Sequence, residues 1–368
     1  MNEYTVIGAG PAGIIAVVRI LEALLNTTPN VMTAKKLAKK VCWIDPKFNV
    51  GAFGEQWRHV PGNTTASKYR VVYDDIFVIL NAYGVCPPDL TSFVLYSEDT
   101  EYPSLLETAA EPLRWITTVL QSLVTPMIGQ VREILRSENG LEIHLSSNSI
   151  AQSKKCILAI GAKAKCMPVN DIDNRKIIPL EVALDHALLK SFVAAQKGIL
   201  NVPVLVQGSS HSAALAVWNL LGCGVTVKQI MNKPYLYYEK HKDSKGILQT
   251  FHENTGLKGQ VAEFTRALEA KTIYPQHWSY EILPQDHILD YSGYNYIVSA
   301  IGLEPVDSLS IQGVSSSRIH YDHYTTRTEM PGVFAVGVGH PPQAEDGSKN
   351  VGISKFWPDM GKVISYWQ

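Results

Sequence analysis

The sequence predicts an α/β fold with two parallel-sheet domains, and three observations support this prediction. A short β-prone run near the N-terminus meets a glycine turn at residues 8–13, and a long apolar helical stretch follows at once. The same succession of strand, turn and helix recurs at 202–221. Two further apolar runs, 155–161 and 296–302, both end in Ala-Ile-Gly. Buried strands that alternate with helices are typical of doubly wound sheets, so the pattern predicts two Rossmann-like domains.

The first glycine turn has the spacing Gly8-x-Gly10-x-x-Gly13, and Pro11 and Ala12 complete it. In this pattern the first glycine permits a tight turn, the second lets the backbone approach a pyrophosphate, and the third lets the helix pack close to its strand. The free N–H groups of the helix N-terminus favour an anion. Between a strand and a helix, the pattern predicts that these five residues bind a dinucleotide. A tight turn without a ligand is the alternative.

A carboxylate ends the next predicted strand, 41–45. In a Rossmann unit an acidic residue at this place binds the ribose hydroxyls of the adenosine, so Asp45 is the predicted ribose ligand. Asp45 lies further along the chain than the usual distance of about 20 residues from the glycine turn. We attribute the excess to a surface insertion over 26–40, consisting of a loop and a short basic helical turn.

The second glycine turn departs from the usual pattern because a serine stands at the second glycine position. A Cβ at Ser210 crowds the closest approach of a pyrophosphate. Serine hydroxyls donate hydrogen bonds to phosphate, so the turn still predicts a nucleotide site. Its predicted ligands are Gly208, Ser209, Ser210, His211 and Ser212.

Two lysines lie on and after the strand that follows this turn, Lys228 and Lys233. A cation near the ribose accommodates a 2′-phosphate, so these residues favour NADPH over NADH. Ordinary surface lysines are the alternative. Two further runs give weaker indications of function. We expect the aromatic run 235–241 to pack against the domain and the run 320–324 to form a surface strand.

Composition bounds the function classes. The chain has 368 residues and is 46% hydrophobic, which is enough for two domains that each have a hydrophobic core. Its net charge of −1 gives no electrostatic reason to expect nucleic-acid binding. No apolar run approaches the roughly 20 residues that cross a bilayer, and a core strand begins almost at the N-terminus. We therefore expect a cytoplasmic protein with no membrane span. The five cysteines include no Cys-x-x-Cys, and the histidines show no metal-ligand spacing, so no metal is predicted.

The order of these segments resembles that of the two-dinucleotide-binding-domain flavoproteins, within the pyridine nucleotide-disulfide oxidoreductase superfamily. This group includes thioredoxin reductase-like enzymes and flavin-containing monooxygenases, and the resemblance covers nearly the whole chain. It implies FAD on the first glycine turn and NADPH or NADH on the second. It also implies a nicotinamide-type domain, 166–290, inserted into a discontinuous FAD-binding domain, 1–165 and 291–368.

The same resemblance implies FAD contacts at Gly161 and near the C-terminal strand at Gly337 and Val338. The family usually has Gly-Asp at this last place, with the aspartate on the ribityl chain. A valine side chain cannot accept that hydrogen bond. Backbone N–H groups would then serve the flavin phosphates, and Asp346 or Asn350 would take the ribityl role.

Two observations favour the monooxygenases over the disulfide reductases within this group of flavoproteins. Disulfide reduction needs a redox cysteine pair, and the sequence has none at close spacing. The segment 51–64, with its glycine pair, Trp57 and a downstream Asn-Thr, resembles the flavin monooxygenases. By that resemblance Asn63 lies beside the isoalloxazine ring, and Gln56 and Trp57 contact the cofactor from its other edge. Asn63 and Trp57 are the predicted catalytic residues; a loop in which Trp57 merely packs is the alternative.

The sequence therefore predicts an FAD-dependent, NAD(P)H-using oxidoreductase of monooxygenase type, acting on a small molecule with an N or S nucleophile. A reductase or oxidase without oxygen transfer is a second possibility. A non-catalytic nucleotide-binding regulatory protein is a third, and the departures at Ser210 and Val338 argue for it. The sequence makes no prediction of oligomeric state.

Overall fold

The computed structural model describes residues 1–165, 177–242, 244–284, 291, 293–343 and 349–366. The chain divides into two compact units. The first unit comprises Met1–Lys163 and Leu303–Gln368, and the second comprises Ala164–Gly302. Within the described residues, no helix is both long enough and apolar enough to span a membrane.

The strands of the described residues alternate with helices through most of the chain. The strands are β1 (Asn2–Ile7), β2 (Val41–Asp45), β3 (Pro61–Thr65), β4 (Pro103–Leu105), β5 (Thr125–Ile128), β6 (Val131–Ser137), β7 (Gly140–Leu145), β8 (Ile150–Leu158), β9 (Ala162–Ala164), β10 (Val204–Gln207), β11 (Val227–Met231), β12 (Glu239–Lys242), β13 (Leu248–Phe251), β14 (Trp278–Ile282), β15 (Tyr296–Ser299), β16 (Leu303–Pro305), β17 (Ser310–Ile311), β18 (Val314–Ser315) and β19 (Val333–Ala335). The helices are α1 (Pro11–Thr27), α2 (Val31–Ala38), α3 (Gly51–Gly54), α4 (Ala66–Ala82), α5 (Leu106–Leu123), α6 (Leu180–Leu184), α7 (His186–Ala195), α8 (His211–Gly222), α9 (Gly259–Glu269) and α10 (Ile353–Ser365). The basic segment predicted before β2 contains a complete helix, α2, rather than a single turn.

The first unit is built on five parallel strands in the order β5, β2, β1, β8, β19. β8 is long enough to pair twice on one edge, antiparallel with β7 near its start and parallel with β19 near its end. Helix α1 contacts α4, α5 and α10, and every residue from Ala12 to Leu21 except Arg19 is buried. A helix that is apolar on all sides belongs inside the core, so α1 fixes the glycine turn at its N-terminus to the centre of the unit.

The second unit carries a parallel sheet in the order β14, β11, β10, β15. Helix α8 follows the second glycine turn, and the Trp218 ring stacks on Phe264 of α9 at 5.0 Å between centroids. β15 pairs with β10 along its whole length, so this strand belongs to the second unit. The boundary predicted at 290/291 precedes β15, whereas the structure divides the chain at 302/303. Which cofactor each unit binds stays a prediction.

The surface strand predicted for 320–324 is wrong. The Asp322 side chain accepts hydrogen bonds from the backbone N–H of Tyr324 at 2.8 Å and of Thr325 at 2.7 Å, which closes a turn. These two bonds stabilise the ionised carboxylate and hold the pKa of Asp322 below its usual value. An aspartate that bonds its own downstream backbone competes with strand pairing, and here the turn is formed.

Candidate functional site

Two of the three glycines in the first turn are required by the protein's own packing. Gly8 has φ +105°, and a Cβ there would lie 2.3 Å from the carbonyl oxygen of Ala159. A Cβ at Gly13 would lie 2.0 Å from the carbonyl oxygen of Gly8. Both distances are far below van der Waals contact. These positions therefore need glycine with or without a ligand.

Gly10 is different, because the space beside it is open. Among the described residues, the one atom within 4 Å of a Cβ there would be the carbonyl oxygen of Val50, at 3.9 Å. Gly10 is the N-cap of α1, no side chain caps that end, and Pro11 supplies no N–H. An open space in front of an uncapped helix N-terminus fits a pyrophosphate, which would bind the main-chain N–H groups there. The residues present thus fit the phosphates of a dinucleotide.

The structure places Asp45 against this turn, where its carboxylate binds three backbone N–H groups. Oδ2 accepts from Ala9 at 2.7 Å, and Oδ1 accepts from Lys47 at 2.8 Å and Phe48 at 2.7 Å. Asp45 is 8% exposed. Its carboxylate therefore ties the loop after β2 to the glycine turn. The predicted ribose contact would be an additional bond to an oxygen already in use.

The loop after β2 has a strained backbone beside the open space. Phe48 has φ +54° and Val50 has φ +69°, both in the left-handed region. A β-branched residue there is an outlier that surrounding structure must hold in place. The Asp45 bond to the Phe48 N–H and the edge-on contact between the Phe48 and Trp43 rings, 4.9 Å between centroids, supply that restraint. Gly51 then passes close to the turn, since its Cβ would lie 3.2 Å from the Gly10 Cα.

Two glycines after β19 lie close to other predicted residues, one to the first turn and one to the end of β8. A Cβ on Gly337 would lie 2.9 Å from the Cβ of Ala12, and a Cβ on Gly339 would lie 2.2 Å from the carbonyl oxygen of Gly161. Val338, between them, packs its partly buried side chain against the core. The structure therefore brings together the predicted residues of the first turn, of the β8 end and of the β19 end.

The predicted ribityl ligand has another partner. The amide Nδ2 of Asn350 donates to both carboxylate oxygens of Asp359, at 3.2 Å each. Asp359 is buried in α10, and this burial raises the pKa of its carboxyl group. The amide NH₂ group of Asn350 is therefore bonded to a residue of α10. Asp346 lies outside the described residues.

The remaining predicted residues of the first unit lie on one segment that starts beside Gly10. Gln56 is exposed and Trp57 is half-buried, with its backbone N–H donating to the Ala52 carbonyl at 2.9 Å. Asn63 lies on β3, which pairs with β4. Arg114 of α5 donates to the Gly54 carbonyl at 2.7 Å and so holds the segment to the core. Flavin contacts of these residues stay a prediction.

The second turn repeats the main-chain contacts of the first. Gly208 has φ +130°, and a Cβ there would lie 2.3 Å from the carbonyl oxygen of Ala300. Ser210 is the N-cap of α8 without a side-chain cap, and His211 and Ser212 lie half-buried in its first turn. Ser209 is buried, and its Oγ donates to Oδ1 of Asn232 at 3.4 Å. All five predicted residues are thus grouped at the carboxyl edge of the second sheet.

The structure separates the two lysines. The Lys228 ammonium lies 3.3 Å from a carboxylate oxygen of Glu281 on β14. Lys233 is exposed and follows the carboxyl end of β11. At the end of β11 itself stands Met231, an apolar residue in the strand position that Asp45 occupies in the first unit.

Two buried residues that the sequence did not single out touch the glycine turns directly. The indole Nε1–H of Trp43 donates to the Gly8 carbonyl at 3.0 Å. The amide Nε2–H of Gln229 donates to the Gly208 carbonyl at 2.8 Å. Both side chains are fully buried. A polar donor inside a buried strand beside a glycine turn is the sequence signal that could have found them.

The cysteines of the first sheet are placed for packing. Cys42 and Cys156 flank Thr5 on the neighbouring strands β2 and β8, and both are fully buried. Burial raises the pKa of the Cys42 thiol to about 11 and raises that of Cys156 further. Neither thiol is therefore a ready nucleophile at neutral pH. Cys166 lies outside the described residues, and those residues hold no cluster of three potential metal ligands.

The chain is similar to a known protein family and to proteins of known structure. The sequence profile of the family described as pyridine nucleotide-disulphide oxidoreductase matches residues 2–345. The monooxygenase AgnR1 of Paecilomyces divaricatus is 24% identical over 401 residues, which cover 98% of this chain and 97% of the relative. Among solved structures, the ornithine N-hydroxylase of Kutzneria sp. 744 has a TM-score of 0.63 at 15% identity, covering 100% of this chain and 98% of that one. Bacillithiol disulfide reductase of Staphylococcus aureus has a TM-score of 0.59 at 14% identity, covering 100% and 98%.

The chain belongs to the pyridine nucleotide-disulphide oxidoreductase family, and it is an FAD-dependent oxidoreductase that uses a pyridine nucleotide. The predicted α/β fold class, the family and the two cofactors are thereby confirmed. The two similar structures are of an N-hydroxylase and a disulfide reductase, which are enzymes for different reactions with one fold. The fold alone therefore does not determine the reaction.

Proposed function

We propose that this chain is an NADPH-dependent flavin monooxygenase that binds FAD at the first glycine turn and NADPH at the second. FAD bound there would supply the redox chemistry by which NADPH, O₂, a proton and the substrate give NADP⁺, water and a substrate carrying one added oxygen atom. The protein's task is to hold both nucleotides and to exclude water. The substrate class we propose is a small molecule with a nucleophilic nitrogen or sulfur.

The observation that carries the choice of reaction is the placement of the cysteines. A disulfide reductase needs two thiols within reach of each other, and the sequence offers no closely spaced pair. Cys42 and Cys156 lie in the core with β1 between their strands. AgnR1, which is named as a monooxygenase and matches over nearly its whole length, supports the same choice.

The first unit supports the FAD assignment through its main chain. Open space at Gly10 faces the uncapped start of α1, where N–H groups would bind the pyrophosphate. Asp45 holds the neighbouring loop against the turn. Its Oδ2, which accepts one backbone bond, would also accept a hydrogen bond from a ribose hydroxyl. Gly161, Gly337 and Val338 would supply main-chain contacts along the cofactor, and Asn63, Gln56 and Trp57 would border its ring.

The end of β11 supports NADPH rather than NADH. An acidic residue at this position would bind the ribose hydroxyls of NADH and repel a 2′-phosphate, and Met231 does neither. Lys233 follows it at the same edge and is exposed. Lys228 already faces Glu281, so Lys233 is the better candidate for the 2′-phosphate.

Lys233→Ala is expected to raise the Kd for NADP⁺ about fivefold, the upper range for an exposed ion pair, and to leave the Kd for NAD⁺ unchanged. Lys228→Ala is the matched control and should change neither constant more than twofold. Both constants are measured by titrating the FAD-loaded protein. Equal losses for NADP⁺ and NAD⁺ in Lys233→Ala would remove the 2′-phosphate role.

Asn63→Ala is expected to increase the share of NADPH oxidation that ends as hydrogen peroxide, with FAD still bound. The physical reason is that removing the side chain would open the proposed flavin edge to water, and exclusion of water suppresses side reactions. The measurement compares peroxide formed with NADPH consumed in air. Asn81→Ala, the same change at an exposed position of α4, is the control. Loss of FAD from Asn63→Ala would instead make Asn63 a binding residue.

Oxygen transfer itself is tested with labelled oxygen. The FAD-loaded protein is supplied with NADPH and ¹⁸O₂ and offered amines, hydroxylamines and thioethers. A product carrying one ¹⁸O atom supports the proposal. Oxidation of NADPH to NADP⁺ that yields one hydrogen peroxide per NADPH with every compound would favour an oxidase.

A further inference from the structure

The two glycine turns share a main-chain geometry that makes their surroundings comparable residue by residue. The N–H of Gly8 donates to the Ile44 carbonyl at 2.8 Å, and the N–H of Gly208 donates to the Ile230 carbonyl at 2.9 Å. Each glycine also lies against the alanine carbonyl of an Ala-Ile-Gly strand end. Ile44 and Ile230 are therefore equivalent positions on β2 and β11. The residues one step before them are equivalent too.

In the first unit that preceding residue is Trp43. Its Nε1–H donates to the Gly8 carbonyl at 3.0 Å, and its side chain is fully buried. An indole has one polar hydrogen and no acceptor, so this bond uses all of its hydrogen-bonding capacity. The edge-on Phe48 ring fixes the indole plane. The Gly8 carbonyl is also the atom that Gly13 approaches, so this bond sets where α1 starts.

In the second unit the equivalent residue is Gln229. Its Nε2 donates to the Gly208 carbonyl at 2.8 Å, while its Oε1 accepts from the Trp278 indole at 3.1 Å. A carbonyl only accepts and an indole N–H only donates, so these partners leave one possible orientation of the amide. The Tyr235 hydroxyl, also buried, bonds to both amide atoms. The network is fully satisfied.

We call each of these side chains, Trp43 and Gln229, with its bond to the glycine carbonyl, a clamp. The two clamps use different chemical groups to make the same hydrogen bond. An indole and an amide share little in shape, yet each places an N–H on the first glycine carbonyl of its turn. Burying a polar group is costly unless it is hydrogen-bonded, and an apolar residue would fill either space without that cost. The common feature is therefore the bond to the glycine carbonyl. That bond fixes the peptide from which the following N–H groups point toward a phosphate.

We infer that Trp43 and Gln229 are equivalent positioning residues, Trp43 for the FAD turn and Gln229 for the NADPH turn. This inference rests on the proposed assignment of the two nucleotides. Each residue acts through the glycine carbonyl and touches no cofactor itself. Each therefore controls the affinity of its own nucleotide and not that of the other.

The test is a crossed pair of variants that remove the N–H: Gln229→Met nearly keeps the side-chain volume, and Trp43→Phe keeps an aromatic ring. Trp43→Phe is expected to raise the Kd for FAD three- to tenfold, the effect of one buried hydrogen bond, with the Kd for NADP⁺ unchanged. Gln229→Met is expected to raise the Kd for NADP⁺ by a similar factor in the FAD-loaded protein, with the Kd for FAD unchanged. Where either variant fails to fold, Phe48→Leu and Trp278→Phe loosen the same two clamps and should show smaller shifts in the same crossed pattern.

Trp115→Phe and Trp218→Phe are matched controls, since both tryptophans make ring contacts away from the turns in their units. Neither control should move either constant. Variants that fold and keep both constants within twofold of wild type would overturn the inference. A rise of both constants in every variant would overturn it as well, because it would indicate general loss of stability. A wild-type protein that binds neither nucleotide would overturn the proposed function first.

Discussion

Gly10→Val is expected to give a folded protein that has lost FAD binding, with at least about a 100-fold rise in Kd because the main chain can no longer approach the phosphates. Among the described residues, the added Cβ would meet only the Val50 carbonyl oxygen, at 3.9 Å, so a β-carbon at this position causes no clash with the fold. Gly10 has φ −75° and ψ 178°, the extended backbone that a residue before proline prefers. Circular dichroism and thermal unfolding check the fold, and flavin absorbance after incubation with FAD checks binding.

Gly8→Ala and Gly13→Ala are the contrasting variants. Their Cβ atoms would lie 2.3 Å and 2.0 Å from backbone carbonyl oxygens, so both should lower the free energy of unfolding even without FAD. The three variants together separate a glycine kept for packing from a glycine kept for a ligand. Wild-type FAD affinity in folded Gly10→Val would contradict the binding site at this turn.

Asp45→Asn is expected to destabilise the protein in the absence of FAD by about 3 kcal/mol. The carboxylate accepts three backbone N–H bonds, and asparagine keeps one acceptor oxygen while turning an NH₂ group toward N–H donors. The amide oxygen at the Oδ1 position keeps the bonds to Lys47 and Phe48, while the NH₂ group faces the buried N–H of Ala9. Losing one hydrogen bond to a charged group in the core and leaving its donor unpaired costs roughly 3 kcal/mol, the upper end for such a bond. The corresponding fall in Tm is roughly 4 °C, because the unfolding entropy of about 2.1 cal/mol/K per residue is summed over 368 residues. Thermal unfolding of the FAD-free protein measures it.

Asp322→Asn is the matched control for this prediction. Asp322 also accepts two backbone N–H bonds, but in an exposed turn, so its replacement should cost much less and leave FAD binding unchanged. An Asp45→Asn protein with wild-type Tm and weakened FAD binding would show that Asp45 serves the ribose alone. The structure predicts that both the Tm and the FAD affinity fall.

The parts of the fold that local sequence predicts are those where one segment determines its own shape. Gly8 and Gly13 were recognised from a strand–turn–helix pattern because the steric demand arises within that pattern. The strand that ends at Asp45 was recognised for the same reason. Asp322 shows the limit, because alternating polar and aromatic residues indicated a strand while the carboxylate closed a turn instead.

The residues that sequence reasoning missed depend on strand pairing. Trp43 lies 35 positions from Gly8, and Gln229 lies 21 positions from Gly208, so only the parallel ladder brings each donor to its carbonyl. At each place the sequence shows a polar donor inside a buried strand, but strand pairing decides which carbonyl that donor meets.

The measurement that tests the central claim most directly is anaerobic reduction of the FAD-loaded protein by NADPH, followed in the flavin absorbance band. We expect the oxidised band to bleach with NADPH, more slowly with NADH, and to return when O₂ is admitted. Bound FAD that neither NADPH nor NADH reduces would contradict the account, and would indicate a protein that keeps the nucleotide-binding fold without the reaction.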